Sequence, residues 1–142
     1  MKFKKKLVSR VKEFREALDL PQQKLAKKVG VSRQAIYYLE TGKSNPSLTV
    51  SLNISKILGK PIEEIFYFEP IIRELILDMT VGEMKEISDD LGIDFNRIMK
   101  LTEIDDEELD NLFTEIELQK IAKTLGQTFD DLFEESKEEL SD

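Results

Sequence analysis

The chain has 142 residues, 40% of them hydrophobic, with no cysteine, no histidine and a formal net charge of −8 at pH 7. That length suits one average domain or two very small ones, with apolar content enough for a packed core. Disulfides, thiolate nucleophiles, thiolate or imidazole metal sites and the commonest general base are excluded, so no enzymatic activity, cofactor or bound metal is expected.

The start, "MKFKKKLVSR", is basic but lacks the apolar stretch of a secretion signal, and no segment approaches the roughly 18 uninterrupted apolar residues of a membrane span. The expectation is a cytoplasmic, unprocessed chain with no membrane partner.

Apolar residues then recur at helical spacing: Leu7, Val11, Phe14 and Leu18; Leu25 and Val29; Ile36 and Leu39; Ile54, Ile57 and Leu58; Ile62, Ile65 and Phe66. No alternation suggests a strand. Breaks fall at Leu20-Pro21, at Gly30, between Thr41 and Pro46, and at Gly59-Lys60-Pro61, each with turn or cap chemistry. Five short helices are predicted over the first half.

A domain boundary is expected at Glu69-Pro70, because proline disfavours helix at the preceding residue and the charge changes sign there. Residues 1–69 carry 14 Lys/Arg against 7 Asp/Glu, and residues 70–142 carry 7 against 22. The basic half suits a polyanion; the acidic half is repelled by one.

The second half reads as a diverged copy of the first. Shifted by 62 positions, "MKEISDDLGIDFNRIMKL" falls on "QQKLAKKVGVSRQAIYYL", with Ile87, Leu91, Gly92, Ile93, Ile98 and Leu101 on Leu25, Val29, Gly30, Val31, Ile36 and Leu39. Shifted by 67, "IAKTLGQTFDDLF" falls on "ISKILGKPIEEIF", the extra residues lying in an acidic loop, "TEIDDEELDN". Two glycine-anchored matches in the same order favour duplication over coincidence and predict two five-helix modules.

Within the first module, a helix, a glycine turn at Gly30, a Ser32 N-cap and a second helix form a helix-turn-helix. Ala26 is small where the helices cross, while Val31, Ile36 and Leu39 face the core. Arg33, Gln34, Tyr37 and Tyr38 are left on the outer face.

These residues resemble the Cro/CI (Xre) family of phage and bacterial repressors over residues 7–68. The family pattern is matched by Gln22, Ala26, Gly30, "SRQ" at 32–34 and "ETGKSNP" at 40–46. The resemblance implies an all-α chain: a lambda-repressor-like five-helix DNA-binding domain over residues 1–69, then a divergent acidic helical module of similar topology over 70–142. It implies sequence-specific binding of double-stranded DNA, as a regulator and repressor. Carried over by position, Ser32, Arg33, Gln34 and Tyr38 face the bases in the major groove, with Tyr37 beside them. Gln22, Lys43 and Asn45 hold the phosphates, with Gln22 also bracing Gln34, and Arg15 and Glu40 pair as a structural brace. Arginine suits guanine and glutamine suits adenine.

The sequence departs from the family at three places. Pro21 stands for the usual hydroxyl residue before Gln22 and is read as a first-turn proline, Ala35 replaces a hydroxyl residue, and Tyr37 and Tyr38 make half the reading surface aromatic. One tyrosine folding back over helix 4 or the loop is the competing placement. Lys2, Lys4, Lys5 and Lys6 form either an arm along DNA phosphates or a solubilised end.

In the second module the recognition positions hold Asp94, Phe95, Asn96 and Met99, followed by Asp105, Asp106, Glu107 and Glu108, so DNA binding is expected to be lost there. The acidic run lacks the ligand spacing and glycine of a calcium-binding loop. Remaining uses for residues 70–142 are dimerisation, a protein partner or ligand, or a steric role. A homodimer through Ile65, Phe66, Tyr67 and Phe68 competes with docking of the second module there. The alternative function is a protein-binding adaptor, antitoxin-like or antirepressor-like, whose acidic module carries the main interaction, including against its own basic module.

Overall fold

The computed structural model describes residues 1–136, so residues 137–142 of the expected second module lie outside the described residues. The chain is mainly helical. In order come β1 (Lys2–Phe3), β2 (Lys5–Ser9), α1 (Val11–Ala17), α2 (Gln22–Val29), α3 (Arg33–Glu40), α4 (Leu48–Leu58), α5 (Ile62–Ile65) and β3 (Phe66–Pro70). Then follow α6 (Ile71–Leu77), α7 (Val81–Leu91), α8 (Phe95–Met99), a 3₁₀ turn (Lys100–Thr102), α9 (Asp106–Leu112), α10 (Glu115–Thr124), α11 (Phe129–Leu132) and β4 (Phe133–Glu134).

The four short strands among the described residues are absent from the periodicity reading. β1 pairs antiparallel with β4, Phe3 opposite Phe133, and β2 pairs with β3. Leu7 therefore lies in a strand, and the first helix begins only at Val11. At its start the Arg10 amide donates to the distant Ile65 carbonyl at 2.8 Å and Ser9 Oγ accepts from the Val11 amide at 3.3 Å, so one long-range and one local hydrogen bond take amides that an earlier helical turn would use.

Two compact units result, Leu7–Glu69 and Met1–Lys6 together with Pro70 onward. The first unit is built on Val11, Leu25, Ile36, Leu39, Ile54 and Ile65, all buried. Ile65 and Phe66 belong to this core, at 0% and 8% exposure, so they are not open to a second chain; Tyr67 and Phe68 are exposed.

The second unit takes the first six residues, which the sequence reading grouped with the basic half. Phe3 is 3% exposed and packs with Phe133, ring centroids 5.8 Å apart. The N-terminal ammonium pairs with Asp110 at 2.9 Å, Lys5 with Asp106 at 3.1 Å, Lys6 with Glu74, and Lys4 donates to the Asp130 carbonyl. Burying Phe3, pairing Lys5 and Lys6 with carboxylates and bonding Lys4 to a backbone carbonyl oppose a free basic arm. The unit Leu7–Glu69 then carries 10 Lys/Arg against 7 Asp/Glu, and the remainder 11 against 22.

The "TEIDDEELDN" segment is not a plain loop, because all of α9 but its last residue lies in it. Asp105 caps it by accepting from the Glu108 amide at 2.9 Å, and three acidic residues in the first turn suit the positive end of the helix dipole. Gly92 and Gly126 take positive φ, 67° and 77°, as do Gly30 and Gly59 at 84° and 67°. Ile98, Leu101, Ile121 and Leu132 are buried like Ile36, Leu39, Ile54 and Ile65. Phe95 and Met99, at outer positions by the 62-residue shift, instead pack against the core, leaving Asp94 and Asn96 exposed.

Candidate nucleic-acid interface

Helix α2 presents Leu25, Ala26 and Val29 to the core and ends because Gly30 turns left-handed at φ 84°. The Gly30 and Val31 amides both donate to the Ala26 carbonyl, at 2.8 and 3.0 Å, closing the turn. Pro21 sits one residue before α2 in extended conformation, at the cap position and not in the first turn, and makes no side-chain cap. Its fixed φ still suits entry into the helix.

Ser32 caps α3, its Oγ accepting from the Ala35 amide at 3.0 Å. Ile36 and Leu39 bury the inner face of α3, which fixes the rotation of the helix and leaves Arg33, Gln34 and Tyr37 exposed. Tyr38 is half-buried on the same side as Gln34. Tyr37 is 42% exposed, and the loop after α3 brings Lys43 over the rings of both tyrosines.

Beneath this face runs a chain of polar contacts. Arg15, buried, meets Glu40 at 2.8 and 3.1 Å and donates to the Leu20 carbonyl at 3.0 Å. The hydrogen bonds to Glu40 hold the Arg15 guanidinium above its ordinary pKa, so it stays charged. Gln22 Nε2 donates to Glu40 Oε1 at 3.0 Å, and Arg33 Nη1 donates to Gln22 Oε1 at 3.4 Å. Gln22 thus braces Arg33, not Gln34 as the sequence reading had it. Gln34 instead donates from Nε2 to Tyr38 Oη at 2.8 Å.

The loop after α3 returns to the same face. Gly42 at φ 75° allows the Lys43 amide to donate to the Tyr38 carbonyl at 2.9 Å. Lys43 Nζ then stands 5.6 and 5.5 Å from the ring centroids of Tyr37 and Tyr38, which lie 6.1 Å apart. Asn45 is exposed and borders a small hollow with Ser44, Pro46 and Ser47 against Val31, Ala35 and Leu39.

Arg33, Gln34, Tyr37, Tyr38 and Lys43 therefore gather on one side, with Ser32 and Gln22 at its edge. Sequence reasoning missed the Lys43 ammonium over both rings, since only the folded loop brings it back. It also missed the Gln34 to Tyr38 bond, although their spacing of four residues was the available signal.

A family model described as helix-turn-helix matches residues 11–65. A relative from Archaeoglobus fulgidus is 46% identical over 61 residues, which is 43% of this chain and 86% of that protein. One from Methanocaldococcus jannaschii is 46% identical over 61 residues and one from Bacillus subtilis 38% over 61, each covering 43% of this chain and 92% of the relative. All three are named as uncharacterized HTH-type transcriptional regulators. Because the match spans nearly the whole of these relatives and the family model runs from α1 to α5, the chain belongs to the Cro/CI-type helix-turn-helix family of transcriptional regulators.

Proposed function

We propose that the chain is a repressor that binds a specific double-stranded operator through Leu7–Glu69, placing α3 in the major groove. The observation that carries this reading is the outer face of α3, where the buried inner face leaves Arg33 and Gln34 exposed and the Arg15–Glu40–Gln22 contacts reach Arg33. Arg33 suits guanine O6 and N7 and Gln34 suits adenine N6 and N7; the tyrosine rings suit a thymine methyl. Ser32, the N-cap of α3, stands at the edge of the same face. Lys43, Asn45 and Gln22 are assigned to phosphates, which set register and orientation without reading sequence. A homodimer would engage two half-sites about 34 Å apart.

The unit formed by Met1–Lys6 and residues 70 onward is read as a diverged copy that no longer binds DNA. Its equivalent glycines at positive φ and equivalent buried positions support the copy, and its acidic surface opposes phosphate. A second reading, an adaptor that engages a protein partner through this unit, is supported by Leu77, Val81 and Ile116, which are 59%, 69% and 64% exposed.

The test is binding to promoter DNA of its own operon by the full chain and by Arg33→Ala and Gln34→Ala. Each contact of this kind discriminates by roughly 1–3 kcal/mol. Unchanged affinity and selectivity in both variants would remove the recognition-helix assignment. Selective binding by the full chain without lowered transcription would remove the repressor role and leave the DNA contact standing.

A further inference from the structure

Across one turn of α3, Gln34 Nε2 donates to Tyr38 Oη at 2.8 Å. A carboxamide has two N–H donors and one carbonyl acceptor. With one N–H given to the phenol, a second N–H donor and the Oε1 acceptor are left for another partner. Adenine offers the matching pair in the major groove, N7 to accept and the N6 amino group to donate.

Tyr38 itself is anchored. Its carbonyl accepts the Lys43 amide at 2.9 Å, its ring is half-buried, and Lys43 Nζ stands 5.5 Å from the ring centroid. Gln34 is exposed, and glutamine is among the side chains with most rotamer freedom to lose on ordering. A flexible reader is thus tied to a fixed neighbour before any ligand arrives.

We propose that Tyr38 is a positioning residue whose hydroxyl holds the Gln34 amide in the orientation that reads adenine, and that it sets base preference through Gln34 and not by touching DNA. This rests on the DNA-binding reading given above. It reassigns Tyr38 from the base-reading set to the support of that set.

Two readouts on the full chain separate the proposal from that reading. The first needs no DNA: NMR relaxation of the Gln34 side-chain NH₂ group. Tyr38→Phe keeps the ring and removes the hydroxyl, and the Gln34 side chain is expected to become more mobile while the melting temperature is held. An unchanged order parameter overturns the positioning role, whatever the chain binds.

The second readout is base preference, from selection on a randomised duplex followed by titration of single-base variants of the selected site. Adenine is expected at one position, with the preference lost in Gln34→Ala. Tyr38→Phe is expected to weaken that same preference by about 3- to 10-fold, the range of one hydrogen bond, and to leave the salt slope unchanged. Added to Gln34→Ala, it is expected to change nothing further. A Tyr38→Phe effect that persists in the Gln34→Ala background, or that lowers the salt slope, assigns the hydroxyl to DNA directly and overturns the proposal. A parent chain with no base preference, alongside an ordered Gln34 that loosens in Tyr38→Phe, overturns the DNA reading and not the internal contact.

Discussion

Arg15 and Glu40 form a two-point ion pair, Nε to Oε2 at 2.8 Å and Nη2 to Oε1 at 3.1 Å, with side chains 9% and 3% exposed. Glu40 also receives Gln22, so one carboxylate ties α1 and the start of α2 to the end of α3. Glu40→Ala would leave a buried guanidinium without its counter-charge, and breaking one side of such a pair costs about 3–5 kcal/mol. The expected result is a lower urea midpoint for Glu40→Ala, with the double change Arg15→Met and Glu40→Leu recovering most of the loss. Equal midpoints for Glu40→Ala and the parent would show that the pair contributes nothing.

The second unit has its own brace and a pH dependence with it. Arg97 reaches Glu117 at 2.6 and 2.8 Å, and this contact, with the Thr114 amide, lowers the Glu117 carboxyl to a pKa of about 2. A carboxyl depressed in the folded state adds stability above its unfolded pKa, near 4.3, and loses it as pH falls through the folded value. The loss is therefore expected between about pH 4.5 and pH 2. With side chains 36% and 25% exposed, screening reduces the contribution to about 1 kcal/mol or less. Acid titration of unfolding, parent against Glu117→Gln, measures it; the variant should show a flatter profile over that window.

The charges near DNA are expected to divide by unit. If Lys43 meets a phosphate, Lys43→Gln lowers the magnitude of the slope of log K against log salt by about 0.9. Lys5→Gln and Lys6→Gln, whose ammonium groups already pair with Asp106 and Glu74, are expected to leave it unchanged. A fall of about 0.9 for either would restore the basic-arm reading of the N-terminus.

Gly30 holds the turn at φ 84° with open space where a Cβ would stand, so the effect of Gly30→Ala is one of backbone alone. A left-handed non-glycine residue costs about 1–2 kcal/mol. Thermal melts should place Gly30→Ala below the parent by that amount and Gly30→Asn between them, since asparagine tolerates this conformation better.

Helix positions in the first unit were legible because each signal is local: the apolar spacing of Leu25, Val29, Ile36 and Leu39, the Gly30 turn and the Ser32 cap all act within a few residues. The partnership of Arg15 with Glu40 was legible only through family resemblance, since 25 residues separate them. What periodicity missed was non-local. β1 forms because Phe3 finds Phe133 at the far end of the chain, and no window around "MKFKKK" contains that information. The interface showed the same divide. The sequence placed Arg33 and Gln34 on one face, but that Arg33 would meet the Gln22 amide and Gln34 the Tyr38 hydroxyl depended on rotamers.

The route of the backbone through Met1–Lys6 makes the helix-turn-helix unit an insertion and not a head. The chain starts in one folded body, leaves it at Leu7 along β2, completes α1 to α5, and returns along β3, paired with β2, at Pro70. A cut after Glu69 alone therefore severs Phe3 from its partner Phe133 and releases a fragment with an apolar, lysine-rich tail. Excised at both Leu7 and Glu69, the same unit would come away whole, with its two ends on neighbouring strands. It is a cassette with entrance and exit side by side, the form in which one domain is most readily accommodated inside another.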